Sequence, residues 1–194
     1  MASVGPRPDK SVDVSRHVGN VMPMTESDRT LLLLRHAKSD YPDGPNAPVD
    51  HGRPLAPRGI REAGLAGDWI KANAPAVDAV LCSTATRTRQ TLARTGITAD
   101  TRYEDDLYDT TPSAVLRLIN GVADDVNTLL VVGHEPTMSG LAFALADPLT
   151  SDMHALEEMS SKYPTSAIAV LTTDLPWDRL ALAMATLVEF HVPR

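Results

Sequence analysis

The sequence predicts an α/β fold: a single-domain, three-layer α/β/α sandwich with a mostly parallel sheet. Short, uninterrupted apolar runs recur along the chain, as expected for strands that are covered on both faces. Helical periodicity fills the stretches between these runs, which is the alternation found in parallel α/β sheets. The length of 194 residues suits one domain with some excess.

The strands are predicted from the apolar runs and their abrupt ends. The first run, 30–34, ends in charged residues, and the second and third lie at 79–82 and 128–132. Two later apolar stretches predict strands at 167–171 and 182–190. Continuous burial of this kind is typical of the inner strands of a sheet with helices on both faces.

The helices are predicted from periodicity and from their capping residues. Residues 57–72 place one apolar stripe on a single face, formed by Ile60, Ala63, Gly67 and Ile70. Ser83 is expected to cap a helix that runs to about residue 94. Thr111 and Pro112 predict the start of a helix at 112–120, and Pro136 predicts the start of another that ends at residue 145.

Residues 1–28 are predicted to form a flexible N-terminal extension, and residues 29–194 the folded domain. The extension shows no apolar periodicity and is interrupted by prolines and glycines, namely Gly5, Pro6, Pro8, Gly19 and Pro23. A segment of this composition buries too little apolar surface to fold by itself. It accounts for the excess over one domain.

The composition excludes several classes of protein. The chain has 18 Lys and Arg against 25 Asp and Glu, a net charge of −7, so the basic surface of a nucleic-acid binder is not expected. A single cysteine allows neither an intramolecular disulfide nor a paired-cysteine zinc site. No apolar run reaches the roughly 20 residues of a membrane helix, and the N-terminus lacks the apolar core of a signal peptide. We therefore expect a cytoplasmic protein with no nucleic-acid or membrane partner.

Two histidines follow predicted strands at the point where each strand ends. The first strand runs into Arg35 and His36, and the third runs into Gly133 and His134. Because ligands of open α/β sheets bind at the carboxyl ends of strands, these two imidazoles are expected at the same edge. The remaining histidines lack this placement and are expected to be ordinary surface or core residues: His17, His51, His154 and His191.

Two arginines, Arg87 and Arg89, lie in the opening turns of the helix that follows the second strand. The helix macrodipole opposes a cation there by about 0.3–1 kcal/mol, unless an anion is bound nearby. Residues two apart on a helix cannot face one point, so only one of the two can join Arg35. Together these features favour a phosphate site over arginines that simply extend into solvent.

These residues suggest a specific chemistry. A neutral imidazole can attack phosphorus and form a phosphohistidine intermediate that water later hydrolyses. Arginines would bind the phosphoryl oxygens in the transition state, and a second histidine could donate a hydrogen bond to them. The sequence has no His-Glu-x-x-His, paired-cysteine, Gly-Lys-Ser/Thr phosphate-loop or Gly-x-Ser-x-Gly motif, so neither a metal nor another cofactor is expected.

Four segments of the chain, 34–39, 55–63, 83–91 and 132–134, resemble the signature segments of the histidine phosphatase (phosphoglycerate mutase-like) superfamily, in family order. Arg-His-Ala-Lys-Ser at 35–39, Arg-Pro-Leu at 53–55 and Tyr-Pro-Thr-Ser at 163–166 resemble its SixA-like phosphohistidine phosphatase branch. The resemblance implies a phosphoglycerate mutase-like fold. It also implies His36 as nucleophile, in a phosphate pocket with Arg35, Arg87 and His134, and makes Ser39 and Arg53 further candidates for binding substrate.

The sequence also departs from the superfamily pattern. Ala37 replaces a glycine, and Pro42 stands where mutase-like members have an asparagine that binds phosphate. Mutase and esterase branches supply a carboxylic acid that protonates the leaving alkoxide. Asp106 is the best candidate for such an acid within the acidic stretch 104–109, and the alternative is that this stretch is a solvated acidic loop.

A missing acid would favour a phosphohistidine substrate, because a phosphorylated imidazole can be protonated before its bond to phosphorus breaks. The short stretch between Asp106 and His134 also leaves no room for an inserted lid. The leading hypothesis is thus a metal-independent phosphatase for protein phosphohistidine, with a phosphotransfer protein as partner. The alternatives are a phosphatase for small phosphomonoesters or nucleotide-related phosphates, and a non-catalytic phosphate-binding module.

Overall fold

The computed structural model describes residues 1, 28–42, 44 and 48–194. The predicted extension, apart from its first and last residues, lies outside the described part of the chain, and so does His17. Within the described residues, no helix is long and apolar enough to cross a membrane.

One six-stranded sheet forms the middle layer. Its strands are Arg29–Arg35 (β1), Ala79–Ser83 (β2), Asp100–Glu104 (β3), Thr128–Gly133 (β4), Ile168–Thr173 (β5) and Thr186–His191 (β6). They lie in the order β3-β2-β4-β1-β5-β6. The pairs formed among β1 to β4 are parallel, whereas β5 and β6 are added antiparallel at one side. The predicted mostly parallel sheet is confirmed.

Helices cover both faces of this sheet. They are Pro57–Asn73 (α1), Thr86–Thr95 (α2), Pro112–Asn120 (α3), Thr137–Leu145 (α4) and Met153–Ser161 (α5). In the described residues, the short 3-10 turns Asp50–Gly52 and Asp105–Leu107 lie between a strand and the following helix, and a third, Trp177–Arg179, lies between β5 and β6.

The alternation of side chains along β1 separates two apolar cores. Leu31 and Leu33 pack with residues of α3, α4 and α5, whereas Leu32 and Leu34 pack with Ile70 of α1 and with α2. Successive strand residues point to opposite faces of a sheet, so a run without a polar residue indicates burial on both sides. The predicted three-layer sandwich is therefore present.

Several predicted elements need correction. Ser83 does not cap α2: it ends β2, and α2 begins three residues later with Ala85 as N-cap. The last strand begins at Thr186 rather than at residue 182, because the segment before it is an exposed turn. The chain also forms β3 and α5, which were not predicted; β3 is a polar edge strand without an apolar run. Ile60 is 39% exposed and so does not belong to the buried face of α1.

Strand register brings the carboxyl ends of three strands together. Arg35 pairs with Gly133, and the His36 N–H donates to the Gly133 carbonyl oxygen at 2.9 Å. Cys82 of β2 pairs with Val132 of β4 on the other side. The residues that follow β1, β2 and β4 therefore share one edge of the sheet, as the sequence predicts.

The close packing of α1 on α2 gives a test of the fold. At Gly67 a Cβ atom would overlap the carbonyl oxygen of Thr95, whereas at Gly64 its nearest neighbour would be the Arg94 oxygen at 4.0 Å. We expect Gly67→Ala to lower the free energy of unfolding by about 1–3 kcal/mol. Gly64→Ala should leave it unchanged or raise it by up to about 1 kcal/mol, because alanine favours the helix. Urea unfolding followed by circular dichroism measures both, and equal effects would contradict this packing.

Candidate active site

His36 follows β1 directly, and its ring is almost fully buried at 8% exposure. Its Nδ1 lies 2.7 Å from the Ala37 carbonyl oxygen. Because a carbonyl oxygen can only accept, Nδ1 carries the proton and Nε2 keeps a free lone pair. Burial, with smaller contributions from the charges of Arg87, Arg35 and Arg53, lowers the pKa of His36 to about 4. The ring is therefore neutral near pH 7, as a nucleophile must be.

His134 lies beside it, with the two ring centroids 5.1 Å apart. Its Nε2 is 2.9 Å from the Ser83 hydroxyl oxygen, which already accepts the Ala85 N–H. The hydroxyl proton is then available to Nε2, which favours the tautomer with its proton on Nδ1. That Nδ1 is buried and has no hydrogen-bond partner among the described residues. Burial lowers the pKa of His134 to about 3, so this ring is also neutral.

Two arginines flank the histidine pair. Arg35 donates from Nη1 to the Tyr163 carbonyl oxygen at 2.6 Å, while its buried Nε has no partner among the described residues. Arg87, in the first turn of α2, is 7% exposed and donates from Nη1 to the Asp50 carbonyl oxygen at 2.8 Å. Arg89 is exposed, with its guanidinium 5.2 Å from the Tyr103 ring centroid. The helix therefore directs Arg87 and Arg89 differently, as their spacing predicts.

Ser39 and Arg53 lie together at the edge of the same site. Arg53 donates from Nη2 to the Ser39 hydroxyl oxygen at 2.6 Å and from Nη1 to the Asp50 Oδ1 at 2.7 Å. Its guanidinium lies 3.3 Å from the centroid of the Tyr41 ring. Asp50 joins Arg53 to Arg87, so these arginines belong to one cluster.

Asp106 is not brought to this cluster. Its side chain is exposed on the Asp105–Leu107 turn, and no described residue forms a hydrogen bond or ion pair with it. The next residues along the chain contribute Tyr108 instead, whose ring meets His134 edge-on with centroids 5.4 Å apart. The Tyr108 hydroxyl donates to the Asp50 Oδ2 at 2.6 Å.

The sequence did not predict that four residues of this cluster lie at the site: Ser83, Asp50, His51 and Tyr108. His51, predicted to be an ordinary surface or core histidine, lies at the side of the cluster, with its ring edge-on to Tyr108 and the two centroids 4.8 Å apart. His51 Nε2 also lies 3.1 Å from the Thr84 hydroxyl oxygen, and that hydroxyl donates to Asp105 at 2.6 Å. The one sequence feature that could have pointed to Asp50 is its spacing of three residues from Arg53, which allows the two to form an ion pair across a turn.

The other described histidines agree with the prediction. His191 stacks on Trp69 with ring centroids 4.3 Å apart, and His154 is exposed on α5. Neither ring contacts the cluster.

Comparison with known proteins gives consistent matches. The family model of the histidine phosphatase superfamily (branch 1) matches residues 31–110. An uncharacterised protein of Mycobacterium tuberculosis is 60% identical over 161 residues, which is 83% of this chain and 100% of that protein.

Solved structures agree. The "putative phosphohistidine phosphatase SixA" of Nakamurella multipartitia is 41% identical, with a TM-score of 0.77 over 86% of this chain and 96% of its own. The protein of the same description from Agrobacterium tumefaciens is 28% identical, with a TM-score of 0.68 over 85% and 99% of the two chains. The Nakamurella protein is 41% identical to this chain, and the site is a buried histidine pair among arginines at one sheet edge. This chain therefore belongs to the histidine phosphatase superfamily and is a phosphatase.

Proposed function

We propose that this phosphatase removes the phosphoryl group from phosphohistidine in proteins, by way of a phosphohistidine intermediate on His36. The observation that carries the proposal is the pair of buried, neutral imidazoles 5.1 Å apart. One of them has its Nδ1 bonded to the Ala37 carbonyl oxygen, which leaves Nε2 unprotonated, and the other has a buried Nδ1 with no hydrogen-bond partner among the described residues.

The reaction has two displacement steps at phosphorus. In the first, the Nε2 lone pair of His36 attacks phosphorus, and the bond to the substrate nitrogen breaks with its electron pair going to the substrate imidazole. In the second, water attacks phosphorus and the bond to Nε2 breaks with its electron pair returning to His36. Dihydrogen phosphate, which keeps the protons of the water, leaves. Arg35, Arg87 and the Nδ1–H of His134 bind the phosphoryl oxygens in both transition states.

The carboxyl groups with shifted pKa values support a substrate whose leaving group is an imidazole, because neither of them is placed and tuned to protonate an alkoxide. A leaving alkoxide needs an acid whose pKa is raised toward neutrality. The pKa of Glu189 is raised by burial, but Glu189 lies on β6, which β5 separates from β1. The pKa of Asp50 is instead held well below its usual range, because Tyr108 and Arg53 donate hydrogen bonds to it. The names of the Nakamurella and Agrobacterium relatives also support this class of substrate.

Substrate preference is tested with a phosphohistidine-bearing phosphotransfer domain against a panel of small phosphoesters and nucleotide phosphates. We expect kcat/KM to be higher for the phosphoprotein by at least about tenfold. Higher kcat/KM values for small esters would contradict the proposed substrate, although the protein would still be a phosphatase. Binding of phosphate without turnover of any substrate would indicate a non-catalytic module.

The two arginines of α2 provide a matched pair of variants. Arg87→Ala should lower kcat/KM by about 10²–10³-fold, because it removes buried donors to the phosphoryl oxygens. Arg89→Ala should change kcat/KM by less than about threefold, because the side chain lies outside the site. Steady-state hydrolysis of p-nitrophenyl phosphate measures both variants. Similar losses in the two would show that Arg87 does not bind the transferred group.

The neutral histidines make stability depend on pH. In the unfolded chain an imidazole titrates near pH 6.5, whereas in the folded chain the pKa of His36 is about 4. Below about pH 6.5 the unfolded chain therefore binds more protons, and the free energy of unfolding falls as pH is lowered. His36 alone contributes about 3 kcal/mol to this loss once the pH reaches its folded pKa.

Urea unfolding of the wild type and of His36→Gln, from about pH 6.5 to about pH 4.5, measures this effect. We expect a shallower fall with pH in the variant. Parallel curves would show that His36 has the same pKa in the folded protein as in the unfolded chain, which would contradict a buried, neutral ring.

A further inference from the structure

Asp50 accepts hydrogen bonds from several of the side chains that surround the histidine pair. Its Oδ2 accepts hydrogen bonds from Arg87 Nη2 at 3.1 Å and from the Tyr108 hydroxyl at 2.6 Å. Its Oδ1 accepts from Arg53 Nη1 at 2.7 Å, and its backbone oxygen accepts from Arg87 Nη1 at 2.8 Å. A single residue on the Asp50–Gly52 turn thus contacts three side chains from three parts of the chain.

The contacts leave Asp50 able to accept and unable to donate. The charged and titratable groups that face it are Arg53 from its own turn, Arg87 from α2, Tyr108 after the Asp105–Leu107 turn, and His134 after β4. His51, the next residue along the chain, contacts the ring of Tyr108. Tyr108 and Arg53 hold the pKa of Asp50 well below its usual range, so the carboxylate is ionised at neutral pH. It therefore cannot act as the acid that protonates a leaving group.

The position of Asp50 is at the mouth of the site. The side chain of Arg87 is 8% exposed, whereas the Asp50 side chain that it contacts is 55% exposed. The guanidinium thus lies on the buried side of this ion pair and the carboxylate on the solvent side. A carboxylate oxygen has room for two hydrogen bonds, and one described donor reaches Oδ1, so one position remains there.

We infer that Asp50 is a specificity-determining residue, whose Oδ1 accepts a hydrogen bond from the N–H of a protonated imidazole on the phosphoryl group of the substrate. The inference rests on the proposed function and adds a residue that selects the leaving group. When Arg87 binds the phosphoryl group, the leaving group lies toward solvent, on the side where Asp50 contacts Arg87.

The charge balance of the first step explains the selection. A phosphorylated imidazole with a proton on its other nitrogen has a positively charged ring beside its anionic phosphoryl group, and Asp50 stabilises that ring charge. When the phosphorus–nitrogen bond breaks, the electron pair returns to the ring, which leaves as neutral imidazole with its N–H intact. No proton has to be supplied by the enzyme. An alkoxide leaving group gains negative charge instead, which the fixed carboxylate opposes.

The test compares wild type, Asp50→Asn and a control, Asp125→Asn, which alters an exposed carboxylate in the loop before β4. The substrates are a phosphohistidine peptide and p-nitrophenyl phosphate, whose leaving group departs without a proton. Asp50→Asn should lower kcat/KM for the peptide by about 10-fold or more, the size expected for a lost hydrogen bond between charged groups. It should also move the pH of maximal peptide hydrolysis downward, because the imidazolium must then form without the carboxylate.

The measurements with p-nitrophenyl phosphate show whether Asp50 recognises the leaving group or only holds Arg87 in place. For p-nitrophenyl phosphate, whose leaving group gains the negative charge that the Asp50 carboxylate opposes, we expect Asp50→Asn to raise kcat/KM or to lower it much less than for the peptide. The ratio of the peptide value to the ester value should therefore fall by about tenfold or more, with vanadate inhibiting at least as strongly as in the wild type. Asp125→Asn should match the wild type on both substrates. Equal losses on the two substrates together with weaker vanadate inhibition would overturn the inference, since Asp50 would then only hold Arg87 in place.

Two further outcomes would also decide against it. An unchanged ratio of the two kcat/KM values and an unchanged pH profile in Asp50→Asn would show that the carboxylate does not meet the leaving group. A wild-type enzyme that hydrolyses the ester and not the peptide would show instead that the proposed phosphohistidine substrate is wrong, and the inference would fall with it.

Discussion

The parallel pairing of β1 with β4 is the constraint on which the site depends. Because Arg35 is in register with Gly133, the two histidines that follow these strands leave the sheet side by side, with ring centroids 5.1 Å apart. The pairing of β2 with β4 then brings Ser83 to His134 at 2.9 Å. A shift of one residue in either pairing would turn these side chains to the opposite face of the sheet and separate the cluster.

Burial gives this arrangement its chemistry. Two imidazoles with lowered pKa values stay neutral beside arginine side chains, so one can act as a nucleophile and the other as a hydrogen-bond donor. The chain as a whole carries a net charge of −7, yet Arg35, Arg53 and Arg87 are concentrated at one sheet edge. Net charge therefore describes the surface of this protein, whereas the pocket has the opposite character, suited to a phosphoryl group.

The sequence predicted the parts of the site that follow apolar strands. His36, His134 and Arg87 could be located because a strand end or a helix start fixes where the chain leaves the sheet. Asp50 and Tyr108 could not, since they arrive on short turns whose path is set by tertiary contacts rather than by periodicity. Ser83 is predicted as a helix cap because serine favours that position, but it pairs with Glu104 of β3 and so belongs to β2. The polar edge strand β3 escaped detection for a similar reason, since it has no apolar run.

A crystal structure with bound vanadate is the most direct test of one phosphoryl site shared by the histidine pair and the arginines. We expect vanadium bonded to Nε2 of His36, with oxygens bound by Arg35, Arg87 and Nδ1 of His134. Those donors are buried and, at Arg35 Nε and His134 Nδ1, without partners among the described residues. Vanadate bound at another place, or at this edge without contact to His36 Nε2, would contradict a phosphatase reaction through a histidine nucleophile.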